Sequence, residues 1–190
     1  MKKPPVNEQQ RRQQIMDAFI VHVVEKGFHK ASMAEMAKTA GLSVGQIYRY
    51  FAHKEDIIRA VVAQKTEEYI ELMEDFLEKR DWLQRHFEEG VDADFHQNRI
   101  LTMEIKAEAN RSPAIAQIQK DADERLHAHA IEIIKRRYAL DDEVDIKARV
   151  DFLVALTEGL FYRNEMIERP FTDAAYRLYE HMLNELLPDA

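Results

Sequence analysis

The 190-residue chain has no cysteine. That excludes a disulfide framework and a thiolate metal centre. Glycine and proline are scarce, at five each, and alternating β-branched runs are missing, so little in the chain signals strands or hairpins. No apolar run approaches the roughly 20 residues needed to span a bilayer. Residues 1–5, MKKPP, are basic but carry no apolar stretch, so no secretory signal is read there and a soluble, cytoplasmic protein is expected. A P-loop, a G-x-S-x-G elbow, an H-E-x-x-H pair and a dinucleotide glycine fingerprint are all missing, which argues against an enzyme. No cofactor is expected, and no metal. His127 and His129 lie two apart on an expected helix and face different sides, and His96 is isolated.

What the chain does have is helical spacing of apolar residues almost from end to end, which reads as an all-α fold. Its net charge of −8 taken alone disfavours nucleic acid, but the distribution reverses that. Residues 1–54 hold nine Lys/Arg against four Asp/Glu, and residues 55–190 hold 18 against 31. A basic head can neutralise phosphates while an acidic body repels DNA and orients the head. The expected division is therefore a head at 1–54 and a body at 55–190.

A loose arm is expected over 1–7, then a helix over about 7–26 with Ile15, Ala18, Phe19, His22 and Val23 on its apolar stripe. Gly27 stops it. A further helix is expected from His53 or Lys54 to about Lys79, with Glu55 and Asp56 suiting the dipole of its first turn. In the body, helices are expected over about 81–90, 94–110, 113–138, 146–168 and 172–187, with 140–145 as an acidic loop. Ser112-Pro113 and Thr172 are start signals for two of them.

The most informative segment is 32–54, SMAEMAKTAGLSVGQIYRYFAHK. Ser32 with Glu35 fits S-x-x-E, and Ser43 with Gln46 fits S-x-x-Q. In such a box two side chains satisfy amides that a helix start leaves unpaired. Gly41 lies between and can take the left-handed conformation that ends a helix. Two short helices joined by such a turn make a helix-turn-helix, whose second helix enters the major groove of DNA.

The same residues resemble the DNA-binding signature of the TetR family of bacterial transcriptional regulators. Ser32, Met36, Ala37, Ala40, Gly41, Leu42, Ser43, Gly45, Ile47, Tyr48, Tyr50, Phe51, Lys54, Glu55 and Ile57 match it in order. His53 departs from it, since a small polar residue is common there, and threonine is commoner than Ser32. Residues 103–113, MEIKAEANRSP, are similar to a segment of many regulatory domains in that family. The resemblance implies a three-helix DNA-binding head, a helical ligand-binding and dimerising body, and a homodimer that is most often a repressor. Without it, the residues support a helical protein with a basic helix-turn-helix head.

In the head, Gln46 can pair with adenine or remain in the Ser43 capping box. Arg49 can reach guanine or a phosphate, the alternative being a solvated charge. Val44 and Gly45 stand where backbone can approach bases, and Val44 can touch a thymine methyl. Tyr48 and Tyr50 are expected to bind phosphates through their hydroxyls, as the resemblance also implies, with partial core packing as the rival for both and Tyr50 the more structural of the two. Ser32, Ser43 and Lys54 can serve a helix start and hold a phosphate, and His53 can add one when protonated. Lys2 and Lys3 read better as a solvated tail than as a minor-groove arm.

In the body, Trp82, Phe95, Met103, Phe152 and Tyr162 are candidate effector contacts, although such residues are more often plain core. Glu104 and Glu108, one turn apart, can receive a cationic ligand if buried; the alternative pairs them with Lys106, Arg111 or water. Leu153, Thr157, Leu160, Phe161, Asn164, Tyr176, Tyr179, Leu183 and Leu186 on the last two helices are candidates for a four-helix dimer interface, or they close the monomer's own core. The expected partners are an operator duplex, a second copy of the chain and a small-molecule effector, with no membrane. The expected function is a ligand-responsive repressor on a palindromic operator, the alternative being an architectural or activating DNA-binding protein without a ligand.

Overall fold

The structure, a computed structural model, describes residues 7–79, 93–138, 140, 142–167 and 172–187. These residues form eight α-helices and one 3-10 turn. In chain order they are α1 (Glu8–Lys26), the turn Phe28–Lys30, α2 (Met33–Thr39), α3 (Val44–Tyr48), α4 (Lys54–Lys79), α5 (Ala93–Ala109), α6 (Pro113–Tyr138), α7 (Glu143–Ile167) and α8 (Asp173–Leu186). No strand occurs among the described residues, and none of their helices is long and apolar enough to cross a membrane.

Most helix starts follow local chemistry. Asn7 caps α1 in a reciprocal box with Gln10, at 2.7 and 3.1 Å. Ser32 caps α2, Ser43 caps α3 and Thr172 caps α8, each accepting the third amide of its helix. Gly27 ends α1 at φ 80°, and Gly41 takes φ 63° in the turn between α2 and α3. The start of α7 lies earlier than the sequence suggests. Asp142 Oδ1 accepts the amides of Val144 and Asp145 at 2.9 and 3.3 Å, so the acidic stretch expected as loop through 145 already turns into helix at Glu143. The helix expected over 81–90 lies outside the described residues.

The chain divides into two compact units. The first comprises Met1–Glu68 with Val91–Asp123. Its core takes Ile15, Phe19 and Val23 from α1, Met36 from α2, Ile47 from α3 and Ile57, Ile58 and Val61 from α4. Leu101 and Ile105 of α5 and Ile115 and Ile118 of α6 complete it. Each such side chain contributes about 1.5–3 kcal/mol when fully buried. The helix-turn-helix thus shares one apolar core with α5 and the first part of α6.

The second unit comprises Tyr69–Gly90 with Glu124–Ala190. Its core joins Ile133, Ile134 and Tyr138 of α6 to Ile146, Val150 and Leu153 of α7 and Tyr179 and Leu183 of α8. Arg149 ties α7 to the end of α8. Its guanidinium donates to the carbonyls of Glu185 and Leu186 at 2.8 and 2.9 Å and to Asp145 at 2.6 Å. A cation placed there satisfies carbonyls that a helix end leaves open.

At Gly41 nothing lies within 4 Å of where a Cβ would stand, so backbone conformation alone requires glycine. Gly41→Ala is expected to lower stability by about 1–2 kcal/mol in urea denaturation. An unchanged midpoint contradicts that requirement.

Candidate nucleic-acid interface

The α3 helix has five residues and one inward side. Ile47 is fully buried, and Phe51 continues that side one turn later, 2 % exposed. The rest faces out: Val44 is 39 % and Tyr48 53 % exposed, and Gly45, Gln46 and Arg49 are exposed too. Such a helix presents its outward residues because its apolar side has one place to go.

Its first turn is held by the expected box. The Ser43 hydroxyl accepts the Gln46 amide at 3.2 Å, and Gln46 Oε1 accepts the Ser43 amide at 2.8 Å. Of the two readings of Gln46, the capping role is the one formed in the free protein. The far end is held by Arg12 of α1, whose guanidinium donates to the Tyr50 carbonyl at 2.8 Å and stacks 4.1 Å from the Phe51 ring centroid. Tyr50 is half-buried against the head core.

Two more side chains of α1 fix α2. His22, 2 % exposed, reaches the Thr39 hydroxyl at 2.6 Å and the Glu35 carbonyl at 3.1 Å. Gln14 donates to the Ala40 carbonyl. Sequence reading placed His22 on the apolar stripe and gave Arg12 and Gln14 no role. Only spatial neighbours reveal these bonds, since their partners lie 13 to 38 residues away.

The other head candidates fall in different settings. Ser32 and His53 are exposed, and the His53 amide is capped by Asp56 at 2.9 Å. Lys54 is half-buried and turned toward the link between α1 and α2. Its Nζ donates to the Phe28 carbonyl at 2.6 Å and stands 3.7 Å from the Phe28 ring centroid. Burial holds its pKa below the usual lysine value, opposed by Glu108 and Glu55.

Glu104 and Glu108 of α5 are partnered within the chain. Glu104 accepts the Phe28 amide at 2.9 Å. Glu108 pairs with Arg111 at 3.3 Å, one of the partners considered from sequence, and lies 3.5 Å from His29. Among the remaining effector candidates, Met103 and Tyr162 are partly buried, and Phe152 is 56 % exposed. Trp82 lies outside the described residues, as do the side chains of Phe95, Phe161 and Asn164. His127 pairs with Asp151 at 3.0 Å.

The dimer candidates divide by burial. Leu153, Tyr179 and Leu183 are core residues of the second unit, and burial pushes the Tyr179 phenol well above its usual pKa. Leu160, Tyr176 and Leu186 pack against that core. Thr157 turns its hydroxyl back to the Leu153 carbonyl at 2.8 Å. The exposed large apolar residues described on the same two helices are others: Val144, Phe152 and Val154 on α7, and Leu178 and Met182 on α8.

Residues 15–61 match the family model described as bacterial regulatory proteins, tetR family. Residues 79–188 match the model described as BetI-type transcriptional repressor, C-terminal. The fatty acid metabolism regulator protein of Bacillus subtilis strain 168 is 37 % identical over 67 residues, which span 35 % of this chain and 34 % of that protein. The HTH-type transcriptional regulator BetI of Escherichia coli O127:H6 is 24 % identical over 187 residues, 94 % of each chain. Among solved structures, Salmonella enterica GusR aligns with a TM-score of 0.77 at 23 % identity, covering 96 % of this chain and 98 % of its own. The multidrug binding protein EbrR complexed with imidazole aligns at 0.65 and 22 %, covering 99 % and 98 %.

The Ser43 box generates one expectation. Ser43→Ala is expected to cost about 1 kcal/mol of stability, read by thermal unfolding. A loss within error of zero means that the cap contributes nothing in this head. With its helix-turn-helix held by α1 and both regions matched, the chain belongs to the TetR family of bacterial regulators: it is a transcriptional regulator and not an enzyme.

Proposed function

We propose that this regulator is a repressor that binds a palindromic operator as a homodimer in the cytoplasm and is released by a small-molecule effector. The observation that carries the DNA-binding half is the outward set Val44, Gly45, Gln46, Tyr48 and Arg49 on a helix anchored at both ends. A short helix held this way can enter a major groove without losing its shape. Arg49 then reads guanine or a phosphate, and Tyr48 donates to a phosphate. Gln46 can leave its cap for adenine, since Ser43 still accepts the Gln46 amide. Ser32 and His53 add backbone contacts at the flanks.

The repressor and effector half is supported by likeness. The C-terminal match is to a repressor model, and EbrR, a structural relative, is a multidrug binding protein. An effector acts by binding better to a subunit arrangement whose recognition helices miss the spacing of about 34–36 Å between successive major grooves. Met103, partly buried in the first unit, and Tyr162, partly buried in the second, are each retained as candidate contacts, as are Trp82 and Phe95 from sequence.

The dimer reading follows from α7. Its inward side carries Ile146, Val150 and Leu153, yet Val144, Phe152 and Val154 remain exposed, and Leu178 and Met182 of α8 are exposed as well. A helix apolar on two sides has two partners, and a second copy of α7 and α8 supplies the missing one. The candidates Leu160, Tyr176 and Leu186 pack against the core of the second unit and are partly buried.

Fluorescence anisotropy with the DNA flanking the gene, a scrambled duplex and a salt series tests the reading. Tight binding to the flanking DNA alone, weakening with salt, is the expected result. Arg49→Ala is expected to lose about 1–3 kcal/mol, roughly 5- to 150-fold in affinity, with the fold intact by circular dichroism. Wild-type affinity in that variant removes Arg49 from the interface, and equal binding to both duplexes points to an architectural protein. For the dimer, Phe152→Glu with Leu178→Glu is expected to convert the species seen in sedimentation from dimer to monomer at unchanged helicity. A dimer that persists locates the interface elsewhere.

A further inference from the structure

The link between α1 and α2 is gripped from two directions. The Phe28 amide donates to Glu104 Oε2 at 2.9 Å, and its carbonyl accepts from Lys54 Nζ at 2.6 Å. The Lys54 ammonium also faces the Phe28 ring, 3.7 Å from its centroid, which favours a cation through the ring quadrupole. That ring is 7 % exposed and meets Phe19 edge-on at 6.4 Å. Beside it, Glu108 lies 3.5 Å from His29. Opposite charges from α5 and from the first residue of α4 therefore meet on one residue of the turn. The turn leads directly to the helix-turn-helix: the Ser32 amide bonds the Lys30 carbonyl at 3.0 Å, and Ser32 caps α2.

We propose that Glu104 is a positioning residue for DNA binding, acting with Lys54 through the Phe28 backbone to set where α2 and α3 lie, and that Lys54 serves this grip in place of a phosphate contact. The inference rests on the DNA-binding reading above. Charge-assisted bonds to a backbone amide and carbonyl are shorter and stronger than neutral ones. Loss of the Glu104 carboxylate leaves the amide of largely buried Phe28 unsatisfied. Loss of the Lys54 ammonium removes the charge-assisted donor to the Phe28 carbonyl, which keeps only the Ala31 amide at 3.2 Å, and removes the cation from the Phe28 ring. Either way the entry to α2 loses its anchor while the outward residues of α3 remain present.

Position and direct contact separate by salt dependence. A lysine that neutralises a phosphate contributes about 0.9 to the slope of log affinity against log salt. A lysine that holds the protein's own backbone contributes nothing. The experiment titrates full-length wild type, Glu104→Ala, Lys54→Met and the double variant against the operator duplex over a salt series. Concentrations are corrected for active fraction by stoichiometric titration, which removes any effect of partial unfolding. Lys54→Met keeps an apolar stem over Phe28 without the charge.

Each single variant is expected to bind roughly tenfold more weakly at an unchanged salt slope. The double variant is expected to be no weaker than either single one, because both break the same grip. Glu104→Gln keeps an acceptor for the Phe28 amide and is expected to fall between wild type and Glu104→Ala; it carries the comparison if the alanine variant does not fold. A slope reduced by about 0.9 in Lys54→Met, beside wild-type affinity in Glu104→Ala and Glu104→Gln, overturns the inference and gives Lys54 a phosphate. Losses that simply add in the double variant overturn the shared grip. Wild-type protein that binds no duplex overturns the DNA-binding reading itself, and this inference with it.

Discussion

A helix of five residues cannot hold its own shape in water, and the recognition helix of this protein has five. The rest of the head answers that constraint. Ile47 and Phe51 give the helix and its following turn an apolar anchor in the core. The Ser43–Gln46 box closes its first turn, and Arg12 closes the other end through the Tyr50 carbonyl. The preceding helix is seven residues long and is pinned by His22 and Gln14 of α1. Long α1, whose own face is buried by Ile15, Phe19 and Val23, is the platform from which the short helices borrow their order. Function needs the short helix outward, and stability needs its inner side committed. The division of α3 into one buried and several exposed positions meets both.

The same platform is reached from α5, which the sequence assigns to the regulatory region. Residues 79–188 carry the match to a C-terminal repressor model, yet Leu101, Ile105, Ile115 and Ile118 share a core with the helix-turn-helix. Glu104 rides on the same helix as Leu101 and Ile105 and reaches the turn after α1. Glu104 thus joins α5 directly to the turn that leads into α2. The charge boundary near residue 54 and the packing boundary near residue 68 describe different things. One follows the field that DNA meets, and the other follows which side chains exclude water together.

In the second unit, burial sorts residues that sequence had grouped. The spacing of Leu153, Tyr179 and Leu183 marks apolar sides of α7 and α8, and those sides close the unit's own core. The exposed set, Phe152, Val154, Leu178 and Met182, lies on the neighbouring positions of the same helices. Helical periodicity reports that a helix has an apolar side. On a helix with two such sides it does not report which one stays inside the monomer.

Among the described residues, the helices, the limits of α1, α4 and α6, the turn at Gly41 and the Ser43 capping box were legible in the amino-acid order; of the box expected at Ser32 only the hydroxyl half forms, because the Ser32 amide donates to the Lys30 carbonyl. Each depends on side chains within about one turn of the backbone they serve, and that reach does not change with the fold. The outward residues of α3 were legible for the same reason, once Ile47 and Phe51 marked the inner side. The tertiary structure alone decided where Lys54 and Glu104 point. Their common partner Phe28 lies 26 and 76 residues away, and no local rule relates charges that far apart. It also decided that Asp142 begins α7 early, that His22 is a bonded core residue, and which apolar residues of α7 close the core of the second unit. These outcomes depend on desolvation and on competition among several possible partners, and both are set when the helices pack.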